Sequence, residues 1–391
     1  MASTNQILTI TEARLRTSRI LPRALYEYIE GGSEDETTLA GNESAFRSLT
    51  LRPRMGVDVE PNLATTVLGS PVAMPLLLAP AGMVQLVHPD GAVGVARAAD
   101  AAGTIAVLSR TAMCPPEEVA RRSHGPHWFQ ITSTGGRDVV KRLIARAADA
   151  GFTGLVVTLD GPPAGNREAD LRNRVAPPAR ITTGLVARFA AQALTRPRWT
   201  VRTLAAARSQ TAAMSGTMQT LSSGAMRTSA RFTWADIEWL KSEWPGQLLV
   251  KGVLTGADAI AARNAGADAI IVSNHGGRAL DGVPATIAVL PEIVAAVGKS
   301  SEVLVDGGIR RASSVAKALC LGARAVLIGR PFLYGLACAG QAGVERILEI
   351  FRAELVRTMK LLGCPDVAAL DGRWLWLQPA TTCSPLCPNQ T

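Results

Sequence analysis

The chain has 391 residues, carries 41 Lys and Arg against 32 Asp and Glu, and has a formal net charge of +9. Because 47% of its residues are hydrophobic, it can bury a large core, and this composition excludes a disordered protein. No apolar run reaches the ~18 to 20 residues of a membrane span. The N-terminus lacks the basic start and apolar core of a secretion signal. These features predict a cytoplasmic globular protein.

Eight short, nearly continuous apolar runs predict β-strands that are buried on both faces, as in a parallel sheet. Several intervening segments place apolar residues at helical spacing. The predicted strands are 75–80, 104–108, 127–131, 154–159, 247–251, 268–272, 302–305 and 324–328. The predicted helices are 89–102, 136–150, 256–265, 285–297 and 313–321.

The spacing of the strands indicates a repeated strand–helix unit. Six of the seven intervals between strand starts are 21 to 34 residues long, and the seventh is 93. Eight such units predict an α/β fold, a (β/α)8 TIM barrel, although alternation alone also fits an open doubly wound sheet. We expect one domain over 1–391 with a helical cap before about residue 60, a long insertion after strand 4, and a helix from about residue 335.

The insertion, residues 171–235, is strongly basic. It contains no Asp or Glu and ten arginines, and this local charge of +10 exceeds the formal net charge of +9 of the whole chain. The pattern is typical either of a solvated loop or of a surface for an anionic partner, namely a membrane, an acidic protein or an acidic substrate. Nucleic acid is not expected, because few aromatic residues interleave with the arginines. We expect residues 375–391 to form a flexible tail.

Polar residues follow the C-terminal end of every predicted strand, where barrels of this kind carry their active sites. His275 and Arg278 follow strand 6 in a glycine-rich loop, and this pairing suits an acid substrate. An arginine holds the carboxylate, and a histidine takes a proton. Asp160, at the end of strand 4, is expected to face His275 and to stabilise its protonated form.

Two glycine-containing turns, each with an arginine, follow strands 7 and 8 as DGGIR and IGR. Exposed backbone N–H groups and arginines predict a phosphate site there. Lys251, at the end of strand 5, is expected either to reach solvent or to contact an electron-rich ring that becomes negative on reduction. No metal site is expected, because the two cysteines of the tail have no histidine near them.

The stretch SNHGGRxLDGVPAT, from Ser273 to Thr286, resembles the FMN-dependent L-2-hydroxy acid oxidase and dehydrogenase family, which includes glycolate oxidase, lactate dehydrogenase and mandelate dehydrogenase. The stretches YEYIEGGSEDE, READLRNR, LVKGV, DGGIRR and IGRP support the resemblance, which covers residues 21–363. It implies a (β/α)8 barrel, FMN as the cofactor, a small 2-hydroxy acid as the substrate and a homotetramer.

The resemblance also implies roles for individual residues. His275 corresponds to the base, Asp160 to its carboxylate partner, and Lys251 to the residue beside the flavin ring. Tyr28 and Arg278 correspond to the carboxylate binders, and Arg167 to a second active-site arginine. Positions around the ring and ribityl chain are Ala81, Gly82, Ser109, Gln130, Thr158 and Ser273. Ribityl and phosphate contacts are Asp306, Gly308, Arg310, Gly329 and Arg330.

Three positions depart from the family pattern, and Arg110 adds a cation near them. Thr132 stands where the family has a second active-site tyrosine, and Thr111 where glycolate oxidase has a tryptophan. Both changes remove bulk and predict a pocket that is roomier than glycolate or lactate requires. Gly82 is typical of mandelate dehydrogenase-like members and favours a dehydrogenase or a bulky substrate. Arg110 is expected either to contact an acidic or extended substrate or to face solvent.

The sequence therefore predicts an FMN-dependent enzyme that oxidises an L-2-hydroxy acid, larger than glycolate or lactate, to the 2-oxo acid. The alternatives are oxidation of a peptide-bound or carrier-bound substrate in natural-product maturation, or oxidative decarboxylation by a monooxygenase. A non-catalytic flavin-binding module is a third hypothesis. The sequence leaves open whether hydride or carbanion chemistry is used, and whether oxygen is the electron acceptor.

Overall fold

The computed structural model describes residues 6–133, 135–161, 163–173, 191–206 and 231–376. Eight parallel strands form a closed barrel in which each strand pairs with its neighbours along the chain and the eighth pairs with the first. The predicted (β/α)8 barrel is thereby confirmed. The strands are β1 (Leu76–Leu78), β2 (Ala106–Ser109), β3 (His127–Ile131), β4 (Gly154–Thr158), β5 (Gln247–Val253), β6 (Ala269–Val272), β7 (Glu302–Val305) and β8 (Ala325–Ile328).

Both faces of the strands are buried, which explains their continuous apolar sequences. One set of side chains fills the barrel interior, and the alternate set packs against the surrounding helices. The interior set includes Leu77, Val107, Trp128, Val156, Leu249, Ile271, Leu304 and Leu327. The interior is therefore a packed core, and a ligand site must lie at an end of the barrel.

A helix follows each strand. All five predicted helices are present with bounds that differ by at most two residues. The sequence did not predict Pro116–Arg122, which is only about two turns long, nor Trp234–Glu243, which follows the insertion. The eight helices are Gly91–Ala102, Pro116–Arg122, Gly136–Asp149, Trp234–Glu243, Gly256–Asn264, Thr286–Val297, Ala312–Cys320 and Arg330–Leu362. Short helices also occur at Val84–Val87 and Glu168–Asn173, and 3-10 turns at Gly298–Ser300, Val367–Ala369 and Gly372–Trp374.

The C-terminal helix begins at Arg330, earlier than the expected position near residue 335. Non-helical backbone at Ala339 and Gly340 divides it, so its first part serves as the eighth barrel helix and the rest continues along the barrel. The chain then forms the strand Leu375–Trp376, which pairs with Thr50–Leu51. The first two residues of the expected flexible tail are therefore paired, and residues 377–391 lie outside the described part of the chain.

The two ends of the barrel are covered differently. A hairpin of Thr65–Val67 and Ser70–Val72 covers the N-terminal end, where Val67 and Val72 join the interior cluster. Three helices, Ile10–Ile20, Arg23–Glu30 and Thr37–Ser48, precede the barrel. The loops after β6 and β8 contact the second and third of them, because Arg278 and Arg330 both donate to the carbonyl of Gly31 between them. The predicted helical cap therefore adjoins the C-terminal end of the barrel.

Residues 171–173, 191–206 and 231–235 of the basic insertion are described, and the segment 191–206 lies against the barrel and the cap. The indole Nε1 of Trp199 donates to the carbonyl of Leu86 at 2.9 Å, and Nε of Arg196 donates to that of Leu21 at 3.1 Å. Leu194, Val201 and Leu204 are exposed on its outer side. Among the described residues, no helix has both the length and the apolar character needed to cross a membrane.

Candidate active site

A cavity at the C-terminal ends of the strands is lined by nearly all of the predicted site residues. Two predicted residues lie outside its lining, Asp160 and Ser273, and both are hydrogen-bonded to residues within it. The predicted residues in the lining are Tyr28, Ala81, Gly82, Ser109, Arg110, Thr111, Gln130, Thr132, Thr158, Arg167, Lys251, His275, Arg278, Asp306, Gly308, Arg310, Gly329 and Arg330.

His275 is fixed by its own loop and by β4. Its backbone has a φ of 57°, in the left-handed region, and its N–H donates to Oγ of Ser273 at 3.1 Å. Its ring atom Nδ1 lies 2.7 Å from Oδ1 of Asp160, which leaves Nε2 as the ring nitrogen available to a ligand. Burial acts to raise the pKa of Asp160, but His275 and Lys251 outweigh burial and lower it. Asp160 is therefore a carboxylate that stabilises a proton on the ring.

A glycine in β5 makes room for Asp160. Gly252 has a φ of 103° and lies where the pairing of β5 with β6 is irregular. A Cβ at this position would lie 2.7 Å from Cγ of Asp160, so only glycine lets the carboxylate approach the strand.

Lys251 is buried at the mouth of the barrel. Its Nζ lies 2.7 Å from Oδ2 of Asp306 and also donates to Oγ of Ser273. Burial acts to lower the pKa of Lys251, but Asp306 and Asp160 outweigh burial and raise it, so the ammonium group stays charged. The geometry does not favour the alternative in which Lys251 reaches solvent. It leaves a fixed positive charge at the cavity wall.

A hydrogen-bonded row crosses the ends of β2, β3 and β4. Oγ of Ser109 donates to Oε1 of Gln130 at 2.9 Å, and Nε2 of Gln130 donates to Oγ1 of Thr158 at 3.0 Å. Each partner restricts the next, so the amide of Gln130 has a defined orientation in the cavity wall. A ring with alternating donors and acceptors, such as an isoalloxazine, is the kind of ligand that such a row can bind.

The ends of β7 and β8 have the properties of a phosphate site. Gly308 has a φ of 76°, and a Cβ there would lie 2.2 Å from the carbonyl oxygen of Asn42. Arg310 pairs with Glu43 at 2.9 Å, and Arg330 donates to the carbonyl of Ile29 at 2.9 Å. Burial, and then the like charges of Arg278 and Arg310, lower the pKa of Arg330 to about 10. A phosphate dianion would relieve this repulsion.

FMN fits this set of groups. Oδ1 of Asp306 is buried in the cavity wall, and among the described residues no donor reaches it. An unpartnered buried carboxylate oxygen costs free energy, and a ribityl hydroxyl would satisfy it. The ring of one nucleotide could then contact the ammonium group of Lys251 and the hydrogen-bonded row through Gln130. Its phosphate could contact Arg310 and Arg330.

Arg278 and Tyr28 form the other end of the cavity. Nη1 of Arg278 donates to the carbonyls of Tyr28 and Gly31 at 2.6 and 2.8 Å, and the guanidinium carbon lies 4.9 Å from the centroid of the Tyr28 ring. Burial, together with Arg167, lowers the pKa of Arg278. Arg167 is held by Asp170 at 2.5 Å. Two neighbouring guanidinium groups and a phenol make this end suited to a carboxylate.

The positions that differ from the family pattern form one wall of the cavity. A Cβ on Gly82 would lie 2.7 Å from Oγ1 of Thr111 and 3.1 Å from the hydroxyl of Tyr28. Nη1 of Arg110 donates to the carbonyl of Thr132 at 3.4 Å. This wall therefore extends from Tyr28 at the carboxylate end, past Gly82 and Thr111, to Arg110 and Thr132.

Some supporting residues were not predicted from the sequence. Asn42 and Asn274 exchange two amide hydrogen bonds of 2.9 and 2.8 Å and join the cap to the His275 loop. They are 232 residues apart, and no local pattern relates them. Leu333 also lines the cavity. It lies one turn after the predicted residue Arg330 in the same helix, and this spacing is the sequence signal that could have placed it at the cavity.

The sequence model that describes FMN-dependent dehydrogenases matches residues 17–377 of this chain. A peroxisomal (S)-2-hydroxyacid oxidase of Arabidopsis thaliana is 41% identical over 365 residues, which cover 93% of this chain and 94% of the relative. An L-lactate oxidase of Nostoc sp. is 42% identical over 363 residues, with 91% and 94% covered.

Solved structures agree with the sequence relatives. The structure of a monotopic membrane protein, (S)-mandelate dehydrogenase, matches with a TM-score of 0.87 and 36% identity, over 95% of this chain and all of the other. A mandelate oxidase structure matches with a TM-score of 0.79 and 34% identity, covering 95% of this chain and 99% of that one. From these matches and from the site geometry, the chain belongs to the FMN-dependent dehydrogenase family, and its cofactor is FMN.

Proposed function

We propose that this enzyme oxidises an L-2-hydroxy acid to the 2-oxo acid, with His275 as the base. The observation that carries the proposal is the 2.7 Å pair of His275 and Asp160, which adjoins a cavity containing both an arginine-rich carboxylate end and a phosphate end. The relatives named as (S)-2-hydroxyacid oxidase and L-lactate oxidase support the same substrate class.

The substrate carboxylate would be bound by Arg278, Tyr28 and Arg167. Arg278 is held by two backbone carbonyls and packs on the Tyr28 ring, so its planar group is fixed before a ligand enters. A fixed guanidinium binds a carboxylate with two parallel hydrogen bonds and little loss of entropy. This contact would orient the hydroxyl-bearing carbon toward His275.

His275 would take a proton from the substrate through Nε2. The imidazolium that forms would lie against Asp160, whose lowered pKa keeps it ionised. A general base in this arrangement contributes about 10²- to 10⁴-fold to the rate. The proton could come from the hydroxyl or from the α-carbon, and the geometry of the protein is compatible with both.

FMN, when bound, supplies the two-electron oxidant. We propose that it is held by the ring and ribityl positions Ala81, Gly82, Ser109, Gln130, Thr158, Lys251 and Ser273, and by Asp306, Gly308, Arg310, Gly329 and Arg330 at its ribityl and phosphate end. The charged ammonium of Lys251 would stabilise negative charge on the ring.

The proposed substrate is larger than glycolate or lactate. Thr111 and Thr132 line the cavity at the positions where the resemblance places a tryptophan and a tyrosine. Gly82 lies between Thr111 and Tyr28 of the carboxylate end, and because it has no side chain it adds no bulk there. These three residues therefore leave space for a substituent on the hydroxyl-bearing carbon.

Anaerobic titration of the purified yellow protein with L-2-hydroxy acids, from glycolate to branched and aryl acids, tests the proposal. Bleaching of the flavin band at ~450 nm by at least one acid is expected, with larger acids the most effective. His275→Asn should bind FMN but bleach at least ~100-fold more slowly. Full activity of this variant would disprove the role of His275, and admission of air would show whether oxygen is the acceptor.

A peptide-bound or carrier-bound substrate, and oxidative decarboxylation, receive no support from the relatives, which are named for small hydroxy acids. The mass of the product separates the chemistries, because decarboxylation removes one carbon and simple oxidation does not. A product of unchanged carbon number is expected.

The basic insertion is proposed to bind an anionic membrane peripherally. The described segment 191–206 is held on the barrel by its inner side, while Leu194, Val201 and Leu204 are exposed beside Arg198 and Arg202. Apolar residues flanked by arginines are typical of helices that lie in a lipid interface. Sedimentation with vesicles that contain anionic lipid, compared with neutral vesicles, tests this.

A homotetramer in the cytoplasm is also part of the proposal. Light scattering, which gives the mass of the assembly in solution, tests the tetramer.

A further inference from the structure

A second, much smaller cavity lies behind the wall of the candidate active site. It has a volume of about 20 Å³ and lies between β2 and the helix Gly91–Ala102. Ala79, Ala81 and Ser109 line both this small cavity and the candidate active site. Two of them, Ala81 and Ser109, are among the positions proposed to hold the flavin ring and ribityl chain. The small cavity therefore adjoins the proposed flavin site.

The lining of the small cavity is almost entirely apolar. Twelve of its fourteen residues are Ala, Val, Leu or Phe, and six of these are alanines, whose short side chains leave the space open. The fourteen residues are Ala79, Ala81, Val84, Ala92, Val95, Ala96, Ala106, Val107, Leu108, Ser109, Ala112, Val119, His127 and Phe332. Buried cavities with apolar walls stay dry and bind apolar molecules such as xenon or benzene.

The two polar side chains of the lining are poorly placed to hold water. Oγ of Ser109 already donates to Oε1 of Gln130 at 2.9 Å, and Nε2 of His127 lies 2.8 Å from Oγ of Ser123. Nδ1 of His127 is buried, and among the described residues it has no partner. One free ring nitrogen is fewer than the roughly two to four polar partners that a buried water needs. An apolar molecule is therefore the better occupant.

The volume of the cavity restricts that molecule to one the size of a water or a diatomic gas. A quinone or another organic electron acceptor is too large. Dioxygen fits, and it is the small apolar molecule with which a reduced flavin reacts. Its burial is comparable to that of two CH₂ groups, which favours an apolar site over water by roughly 10-fold.

We propose that the small cavity binds dioxygen beside the flavin, so that oxygen is the electron acceptor of this enzyme. The two electrons and two protons that the reduced flavin gives up convert one dioxygen to one hydrogen peroxide. This inference rests on the proposed FMN-dependent oxidation and specifies its second half-reaction. The chain contributes a store of dissolved gas at the flavin rather than a residue that reacts with it.

The first test locates an apolar gas in the oxidised holoenzyme without turnover. Crystals are held under krypton, a small apolar atom whose position is given by its anomalous X-ray scattering. A krypton atom beside Ala96, which is 2% exposed and lines the cavity, is the expected result. A cavity that binds no krypton, or one that contains an ordered water, would overturn the inference.

The second test fills the cavity with Ala96→Val. Ala98→Val is the matched control, because Ala98 is buried on the same helix but does not line the cavity. Stopped-flow mixing of the reduced holoenzyme with oxygen gives the rate of flavin reoxidation. Ala96→Val should lose the krypton site and reoxidise roughly 10-fold more slowly. Its anaerobic reduction should keep the native rate, and Ala98→Val should keep both rates.

The results separate this inference from the proposed function. A native reduced enzyme that does not react with oxygen, or native reoxidation in an Ala96→Val enzyme that has lost the krypton site, would overturn the inference. An equal slowing in Ala96→Val and Ala98→Val would overturn it as well, because the effect would then come from general packing. Failure of every hydroxy acid to reduce the flavin would instead contradict the proposed function. Reduction by light in the presence of EDTA still allows reoxidation to be measured in that case.

Discussion

Replacement of Asp160 by asparagine separates the charge of the carboxylate from its shape. Oδ1 of Asp160 lies 2.7 Å from Nδ1 of His275, and the amide keeps the size of the side chain while removing the charge. A hydrogen bond to a charged group contributes about 1.5 to 3 kcal/mol, and here it is formed fully when the ring is protonated. We therefore expect flavin reduction to slow by roughly 10- to 150-fold.

The assay is anaerobic stopped-flow reduction of the FMN holoenzyme at a saturating concentration of the best acid. FMN affinity should change little, because Asp160 lies outside the cavity lining and contacts it through His275. The Kd for the acid should also stay nearly constant, because the carboxylate end is formed by Arg278 and Tyr28. The loss should therefore appear in the limiting rate.

A double-mutant cycle with His275→Asn decides whether Asp160 acts through the ring. In that background the Asp160→Asn change should have almost no further effect on the rate. An Asp160→Asn enzyme with native rates, or one that slows by the same factor with and without His275, would refute the reasoning.

Three further predictions concern stability and fit. Lys251→Met should lower the unfolding free energy by about 3 to 5 kcal/mol in urea titrations, because it leaves the carboxylate of Asp306 buried without its cation. Gly82→Ala should slow flavin reduction because its methyl would lie 2.7 Å from Oγ1 of Thr111, and Thr111→Ala added to it should restore the rate. Burial lowers the pKa of His127, so the unfolded chain binds its proton more readily. The unfolding free energy should therefore fall as the pH drops below ~6.5, and His127→Gln should reduce this slope.

Each of these predictions has a contradicting result. An unchanged urea midpoint for Lys251→Met would mean that the pair of Lys251 and Asp306 contributes no net free energy of unfolding. If Lys251→Met does lower the unfolding free energy, adding Asp306→Asn should restore part of it. If Thr111→Ala fails to rescue Gly82→Ala, the steric argument is wrong. His124→Gln, which alters an exposed histidine, is the control for the pH slope and should leave it unchanged.

The barrel could be predicted from the sequence because each strand is buried on both faces and therefore reads as a continuous apolar run. The predicted strand 127–131 coincides with β3 (His127–Ile131). The predicted strand 247–251 ends two residues before the end of β5 at Val253. The pairing of β5 is irregular around Gly252, and no apolar pattern signals such an irregularity. Local patterns thus located the elements but not the bulge.

The site was predictable for a related reason. In a parallel barrel, residues that follow different strands meet at one end, so His275, Asp160 and Lys251 could be grouped from strand positions alone. The cap contributes differently, since Asn42, Glu43 and Gly31 reach the loops through contacts of more than two hundred residues' separation. Such pairings depend on how the helices lie over the barrel, and composition or periodicity carries no record of that.

The contacts between the cap and the loops determine when the site can exist during synthesis. Arg278 and Arg330 both donate to the carbonyl of Gly31, and Asn274 pairs with Asn42. The helices Arg23–Glu30 and Thr37–Ser48 leave the ribosome early, but their partners follow some 230 to 300 residues later. A nascent chain that ends before β8 lacks Arg330 and therefore has no complete phosphate end, so FMN should be captured only after the eighth strand has emerged.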